Sequence, residues 1–341
     1  MISCRRLCAI FALALCTLVA PLATLAAAPV VDPNAVVESL PLPNSFLDMI
    51  ATENAPDPSG ASQNNRGGKW ITVNYQIGTD RLVTAGLHEH NPQYIAEALN
   101  VATYAFAHQN PDGSFVDANP REQVGATGGF IVYLSHSLLM LQQSPWFMQS
   151  PQTAQLRTQA QSLYRPLGAA FNWFIPQASI LRADKAATNR IISYGAEYYL
   201  GAKLLGNDQA LNLGRSFIEE GLDKQFADGT FPEVGGFDSS YQNVSLYFAQ
   251  IVLLQIPPSD PLRERLWAGI QRGIRREQRN VMPSGEISTV GNTRIHPIPG
   301  APGQHHLDSH YAVIAHAYYA AITGDPDARQ TVQLMLGHYF P

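Results

Sequence analysis

This sequence predicts an all-α fold, a single ring of about five helical hairpins. Three observations carry that expectation. Apolar residues recur at spacings of three and four along most of the chain, while alternation of Val and Ile at strand spacing is nearly absent. A short motif repeats at helix exits: Gln109-Asn110-Pro111-Asp112-Gly113-Ser114-Phe115 and Gln225-Phe226-Ala227-Asp228-Gly229-Thr230-Phe231 both read Q-x-x-D-G-x-F. Gln278, followed by Ser284-Gly285-Glu286-Ile287, is a looser third copy. The first two copies start 116 residues apart, twice 58, and the third starts 53 residues further on; a unit of roughly 53–58 residues fits one helical hairpin, and arrays of such units close into rings or stack into solenoids. An α/α toroid, an incomplete barrel with its polar turns gathered at one end, is the expected form; an open solenoid is the alternative.

The elements follow in order. Arg5 and Arg6 precede an apolar run from Leu7 to Leu25 that ends in Ala26-Ala27-Ala28, the pattern of a secretory signal peptide over residues 1–28. Cys4, Cys8 and Cys16 all fall inside this leader, so the exported chain is expected to lack disulfides, thiolate metal sites and cysteine nucleophiles. Residues 29–68 read as an N-terminal segment and loop: Val30 to Pro43 extended, a short helix from Ser45 to Thr52, then a stretch rich in Pro, Gly, Ser and Asn. Residues 69–341 form the ring as one catalytic domain. Asn91-Pro92 caps a helix whose buried face is Ile95, Ala98, Leu99, Ala102, Ala105 and Phe106. Helical periodicity then covers about Gly129–Gln142, Thr153–Phe174, Arg190–Leu205, Asp208–Phe226, Ser240–Gln255, Asp260–Arg279, Ser309–Thr323 and Pro326–His338.

The formal net charge is −5, and it is more negative still once Arg5 and Arg6 leave with the leader. That balance disfavours a nucleic-acid partner, which calls for a basic domain. Beyond the leader no apolar run is long enough to span a membrane. A monomer in the periplasm or outside a bacterial cell, acting on a polysaccharide or oligosaccharide, is the expected setting.

Chemistry concentrates in two loops. The first, Asp228 to Asn243, sets Glu233, Asp238, Ser239, Ser240, Tyr241 and Asn243 between two helical runs. A loop held by rigid flanking helices is where binding and catalytic groups usually sit. The second runs from Arg294 and His296 to His305-His306-Leu307-Asp308-Ser309-His310 and carries four of the ten histidines. Histidine is the natural proton carrier near neutral pH. His306, Asp308 and His310 also alternate in a way that a metal might be asked to bridge, but they match no recognised ligand spacing, and no cofactor is expected. Arg265, Arg272, Arg276 and Arg279 form a stripe on one helix that either holds a polyanion or is simply solvated. Trp70, after a glycine-rich loop, is the candidate platform for stacking a sugar ring.

Asp228-Gly229-Thr230-Phe231-Pro232-Glu233 followed by Tyr241-Gln242-Asn243 resembles a stretch of the toroidal alginate lyases, where a D-G-x-L-P-x-E turn precedes a helix opening with Tyr-His-Asn. Val234 stands where that family has an arginine, and Gln242 where it has a histidine. The helical hairpins and repeated turns look more broadly like the α/α-toroid carbohydrate-active enzymes, which include polysaccharide lyases and glycoside hydrolases. The resemblance implies β-elimination on a uronate-containing glycan, with Tyr241 as acid/base. His306 or His310 would be its partner, and Asn243, Glu233 and Arg294 would neutralise the sugar carboxylate. Asp238, Asp308, Trp70 and Arg276 would bind substrate. Two alternatives remain open: a glycoside hydrolase using two of Glu233, Asp238, Glu286 and Asp308, and a non-catalytic glycan-binding envelope protein.

Overall fold

The computed structural model describes residues 27–118, 122–183, 187–296, 300 and 303–341. The leader assigned to residues 1–28, with its arginines and all three cysteines, lies outside the described residues except for its last two positions. The elements in chain order are α1 (Pro33–Glu38), α2 (Asn44–Asn54), α3 (Thr79–His88), α4 (Pro92–Phe106), α5 (Gln123–Gln143), α6 (Pro145–Gln149), α7 (Ala154–Ser162) and α8 (Tyr164–Phe174). There follow α9 (Ala178–Leu181), α10 (Thr188–Leu205), α11 (Asp208–Lys224), α12 (Ser239–Leu253), α13 (Pro261–Gln278), α14 (Ser309–Thr323) and α15 (Pro326–Tyr339). Only isolated β-bridges, and no strands, occur among the described residues.

Five hairpins make the ring. Helices α3, α5, α10, α12 and α14 pack side by side as an inner layer, and α4, α8, α11, α13 and α15 lie outside them. The division follows composition. Inner helices are buried almost all round: in α5 every residue from Phe130 to Leu141 is covered, so it carries apolar and small polar side chains without a charged face. Outer helices are amphipathic, as in α13, where Leu262, Leu266, Ile270 and Ile274 face inward and the arginines lie outside or at the turns. The ring is incomplete between α14 and α3. There α1 bridges the two, and Gln333 Nε2 donates to Pro41 O (3.2 Å) across the same seam.

The repeated turns explain how each outer helix returns to the rim. Asp112 Oδ1 accepts from Ser114 N (2.9 Å), and Asp228 Oδ1 from Thr230 N (2.9 Å). Gln109 and Gln225 then tie each turn to the next outer helix, through Pro166 O (3.0 Å) and Gly269 O (2.9 Å). Gly113 and Gly229 have φ +96 and +98, and a Cβ on either would lie 2.2 Å from a carbonyl oxygen of that neighbouring helix. Only glycine fits both the left-handed turn and the close approach. Gly285 backs onto Leu334 of α15 in the same way, so the looser third copy is a true repeat.

Three expectations need correction. Val30 to Pro43 is not wholly extended, because Asp32 caps α1 and Val36 and Val37 are buried against the ring. The single helix expected over Thr153–Phe174 breaks between α7 and α8, since Pro166 lacks an N–H and its ring excludes the carbonyl of Ser162 four residues back. Helix α3 was not anticipated. Its sequence, TDRLVTAGLH, has modest intrinsic propensity and forms because eight of its ten residues are buried.

Candidate active site

All five inner helices begin at the rim reached by these turns. After the Asp-Gly turn, Phe231 N donates to Gln242 Oε1 (2.8 Å) and Gln242 Nε2 returns to Gly229 O (3.0 Å), fastening the loop to α12. Glu233 and Gly236 exchange backbone hydrogen bonds around Val234 (φ 45) and Gly235 (φ 90), a tight two-residue turn that needs left-handed backbone at both centres. Beyond it, Phe237 pairs with Asn292, and Ile295 with His305. The histidine-rich loop is thereby laid beside the first loop.

One cluster results. Arg294 Nη2 meets Glu233 Oε1 at 3.0 Å, and its Nε lies 3.2 Å from Asp238 Oδ2. His305 Nε2 reaches the same Asp238 oxygen at 2.9 Å, while its Nδ1 faces His306 O at 2.7 Å. Tyr241 lies against both, with the Arg294 guanidinium 4.5 Å above its ring and the His305 ring edge-on at 5.2 Å. Asp238 is fully buried and caps α12 through Tyr241 N (3.2 Å). Tyr241 is the half-exposed residue of a helical turn whose neighbours Ser239, Ser240, Gln242 and Asn243 are all buried.

Burial pushes the Glu233 carboxyl up to about 7, against the pull of Arg294 and of the Asn189 N–H. A contacting guanidinium would ordinarily lower a carboxylate; here desolvation wins, helped by Asp238 alongside. Among the described residues, Glu233 Oε2 has no hydrogen-bond partner, nor has Oδ1 of the neighbouring Asn189. Behind α12, Ser239 Oγ donates to Glu277 Oε2 (2.5 Å), and burial holds that carboxyl at about 8.

Beside the cluster opens a cleft of ≈ 620 Å³, walled by Tyr75, Tyr133, Arg190, Tyr194, Glu197 and Phe248 among others. Arg190 acts electrostatically on Glu233, and Phe248 stands two turns below Tyr241 on the same face of α12. These two residues link the cleft to the cluster, whose own side chains do not line it. Glu197 is buried in its wall, accepts from Ser193 Oγ (3.0 Å), and desolvation raises its carboxyl to about 8.

Of the residues singled out from sequence, Tyr241, Arg294, Glu233 and Asp238 come together. The others do not join them. Asn243 is fully buried and donates to Ser239 O (2.9 Å), so it supports the turn and cannot touch a glycan. His306 is exposed, and its neighbour His305 takes the place beside Tyr241, because side chains alternate along an extended segment. His310 packs between Phe46 and Phe340, with Glu53 at 3.4 Å. Asp308 caps α14, accepting from Tyr311 N (3.1 Å), and its own N–H is held by Ser240 Oγ (2.8 Å). The histidine–aspartate trio is thus dispersed, and among the described residues no three His, Cys, Asp or Glu side chains are placed to hold a metal. Trp70 stacks on His108 (4.2 Å) in the α4 hairpin, with its indole N–H bonded to Val116 O. Arg276 pairs with Asp228 (3.6 Å) and lies 3.9 Å over Phe237, bracing the loop from behind. His305, Glu197, Asn189 and Glu277 were not singled out: the first has no sequence mark that separates it from His306, and the two glutamates read as ordinary helix-surface acids.

No protein-family model matches the chain, and no curated protein does. Among solved structures, it is similar to the Streptomyces coelicolor A3 chondroitin AC lyase in complex with chondroitin sulphate, with a TM-score of 0.51 and 13% identity over 89% of this chain. The fold is an α/α toroid. The alignment spans 41% of the lyase, so the chain matches about two fifths of that protein's length. Unsaturated glucuronyl hydrolase from Bacillus sp. GL1 aligns with a TM-score of 0.49 and 10% identity, over 89% of this chain and 81% of that one. The likeness to α/α-toroid carbohydrate-active enzymes holds at the level of the fold.

Proposed function

We propose that this chain is a secreted polysaccharide lyase that cleaves a uronate-containing glycan by β-elimination in the cleft. The observation that carries the reading is the Arg294 guanidinium 4.5 Å over the Tyr241 ring, with Glu233 bonded to the same arginine. The guanidinium and the edge-on His305 ring hold the phenol in one place. Tyr241 takes the proton from the carbon next to the sugar carboxylate; the released electron pair forms the carbon–carbon double bond as the neighbouring carbon–oxygen bond breaks. The leaving oxygen then receives the proton from Tyr241. Arg294, one-fifth exposed and held by the buried Glu233, offers its remaining N–H groups to the uronate carboxylate, where negative charge gathers in the transition state. The structurally similar chondroitin AC lyase, complexed with chondroitin sulphate, supports an acidic glycan as substrate class.

Incubation with alginate, glucuronan, hyaluronan, chondroitin, heparin and neutral glucans tests this. An unsaturated product absorbing in the ultraviolet is expected from at least one acidic glycan and is lost in Tyr241→Phe. New reducing ends without that absorbance reject elimination. They would favour a second reading, hydrolysis, for which Glu197 in the cleft wall is the proton donor still protonated at neutral pH.

A further inference from the structure

Below the cleft lies a second, smaller cavity of ≈ 110 Å³, lined by Asn54, Gln63, Ile77, Arg81, Tyr133 and Tyr311. Ile77 and Tyr133 also line the main cleft, so the cavity is a side pocket of it. We infer that this pocket binds an anionic substituent, a carboxylate or a sulfate group, on a sugar lying in the cleft, with Arg81 as the receiving charge.

Arg81 stands partly buried on α3, and among the described residues its guanidinium donates no hydrogen bond and makes no ion pair; the Tyr311 ring lies 5.0 Å from it, and the Asp80 and Asp308 carboxylates act on it from farther off. A guanidinium that faces a pocket with no protein acceptor bonded to it is open to an anion of matching geometry. The adjacent Asp80 does not fill that role. Its Oδ2 accepts from Tyr247 OH (2.5 Å), and its carboxyl lines a separate void of ≈ 10 Å³ on the other side of Arg81.

The hydroxyls of Tyr133 and Tyr311 touch each other. One O–H is spent within the pair and the second remains to donate outward, so the pocket offers a cation and a hydroxyl donor to one anion. Gln63, at the mouth, is held at φ 49, a left-handed backbone that is strained for a non-glycine residue and common at ligand clamps. Guanidinium geometry suits planar carboxylate and tetrahedral sulfate alike.

This rests on the glycan reading for the sugar alone. The test is calorimetric binding of a glucuronate-containing tetrasaccharide, of its carboxyl-reduced counterpart, and of sodium sulfate as competitor, to the mature chain. The acidic tetrasaccharide should bind about 10- to 100-fold more tightly than the reduced one. Sulfate should displace it, and Arg81→Gln should erase the preference. Arg81→Lys keeps the charge that balances Asp80 and so protects the fold; it should still weaken the acidic ligand several-fold. Equal affinity for both tetrasaccharides, or an unchanged preference in either folded variant, overturns the inference. Ultraviolet-absorbing product with unaltered KM in Arg81→Lys would sink the pocket and leave elimination standing. Arg81-dependent binding without such product would do the reverse.

Discussion

Two arginines near the cleft, Arg294 and Arg81, differ in what surrounds them. Arg294 at the rim is saturated, with two carboxylates and an aromatic face around one guanidinium. Arg81 beneath the cleft touches one ring and has no carboxylate in contact. The first organises protein groups, and the second is left for something that is not protein. Held that way, Arg294 can meet a substrate anion only with the N–H groups that its own carboxylates leave over.

Experiments can break the contrast. The largest effect is expected in Tyr241→Phe, which removes the proton carrier; kcat on the active glycan should fall by about 10²–10⁴ while the melting temperature stays put. Arg294→Ala should come next and should show in stability as well as rate. It strands two buried carboxylates, at about 3–5 kcal/mol, readable as a lower denaturation midpoint in urea. Arg81→Lys should leave that midpoint far less changed, and an equal loss in both would erase the distinction. The buried acids give a third measure. Glu197 and Glu277 keep their protons up to about 8 in the folded chain, whereas 4.5 is usual for an exposed glutamate. Between those values the folded chain binds more protons than the unfolded one, so stability falls as pH rises through that window and is level on either side. Glu197→Gln should flatten the fall, seen as a gap in melting temperature that opens above pH ~4.5 and stops growing near pH ~8. The smallest effect belongs to His306→Ala at its exposed position, with kcat and KM unchanged; His305→Ala, beside Tyr241, should lower kcat.

The fold was legible because its signals are local and repeated. The Asp-Gly turns are visible as text, and the same residues close the same hydrogen bonds at Gln109, Gln225 and their partners. Half of the site was legible for a similar reason, since Glu233, Asp238 and Tyr241 crowd into one polar loop. What escaped depends on contacts between distant segments. His305 rather than His306 faces Tyr241 because the second loop pairs in a particular register with Ile295. Arg81 and Glu197 each sit alone within a helix, and a solitary charge there normally points at water. Only the closing of the ring turns both inward. Asn243 was misplaced for the opposite reason: an amide in a polar turn looks available, yet the helix rotates it toward the core.

The seam bridged by α1 has a consequence for biosynthesis. Its two sides are joined by groups 292 residues apart in the sequence, Pro41 and Gln333. A nascent chain can wind its hairpins one after another, but the barrel stays open along one edge until the final helix has been made. During synthesis and any export that precedes folding, that edge exposes apolar staves to the surroundings. The interval between completing α12 and docking α15 is therefore when this protein is most exposed to aggregation, and when a chaperone would have most to cover.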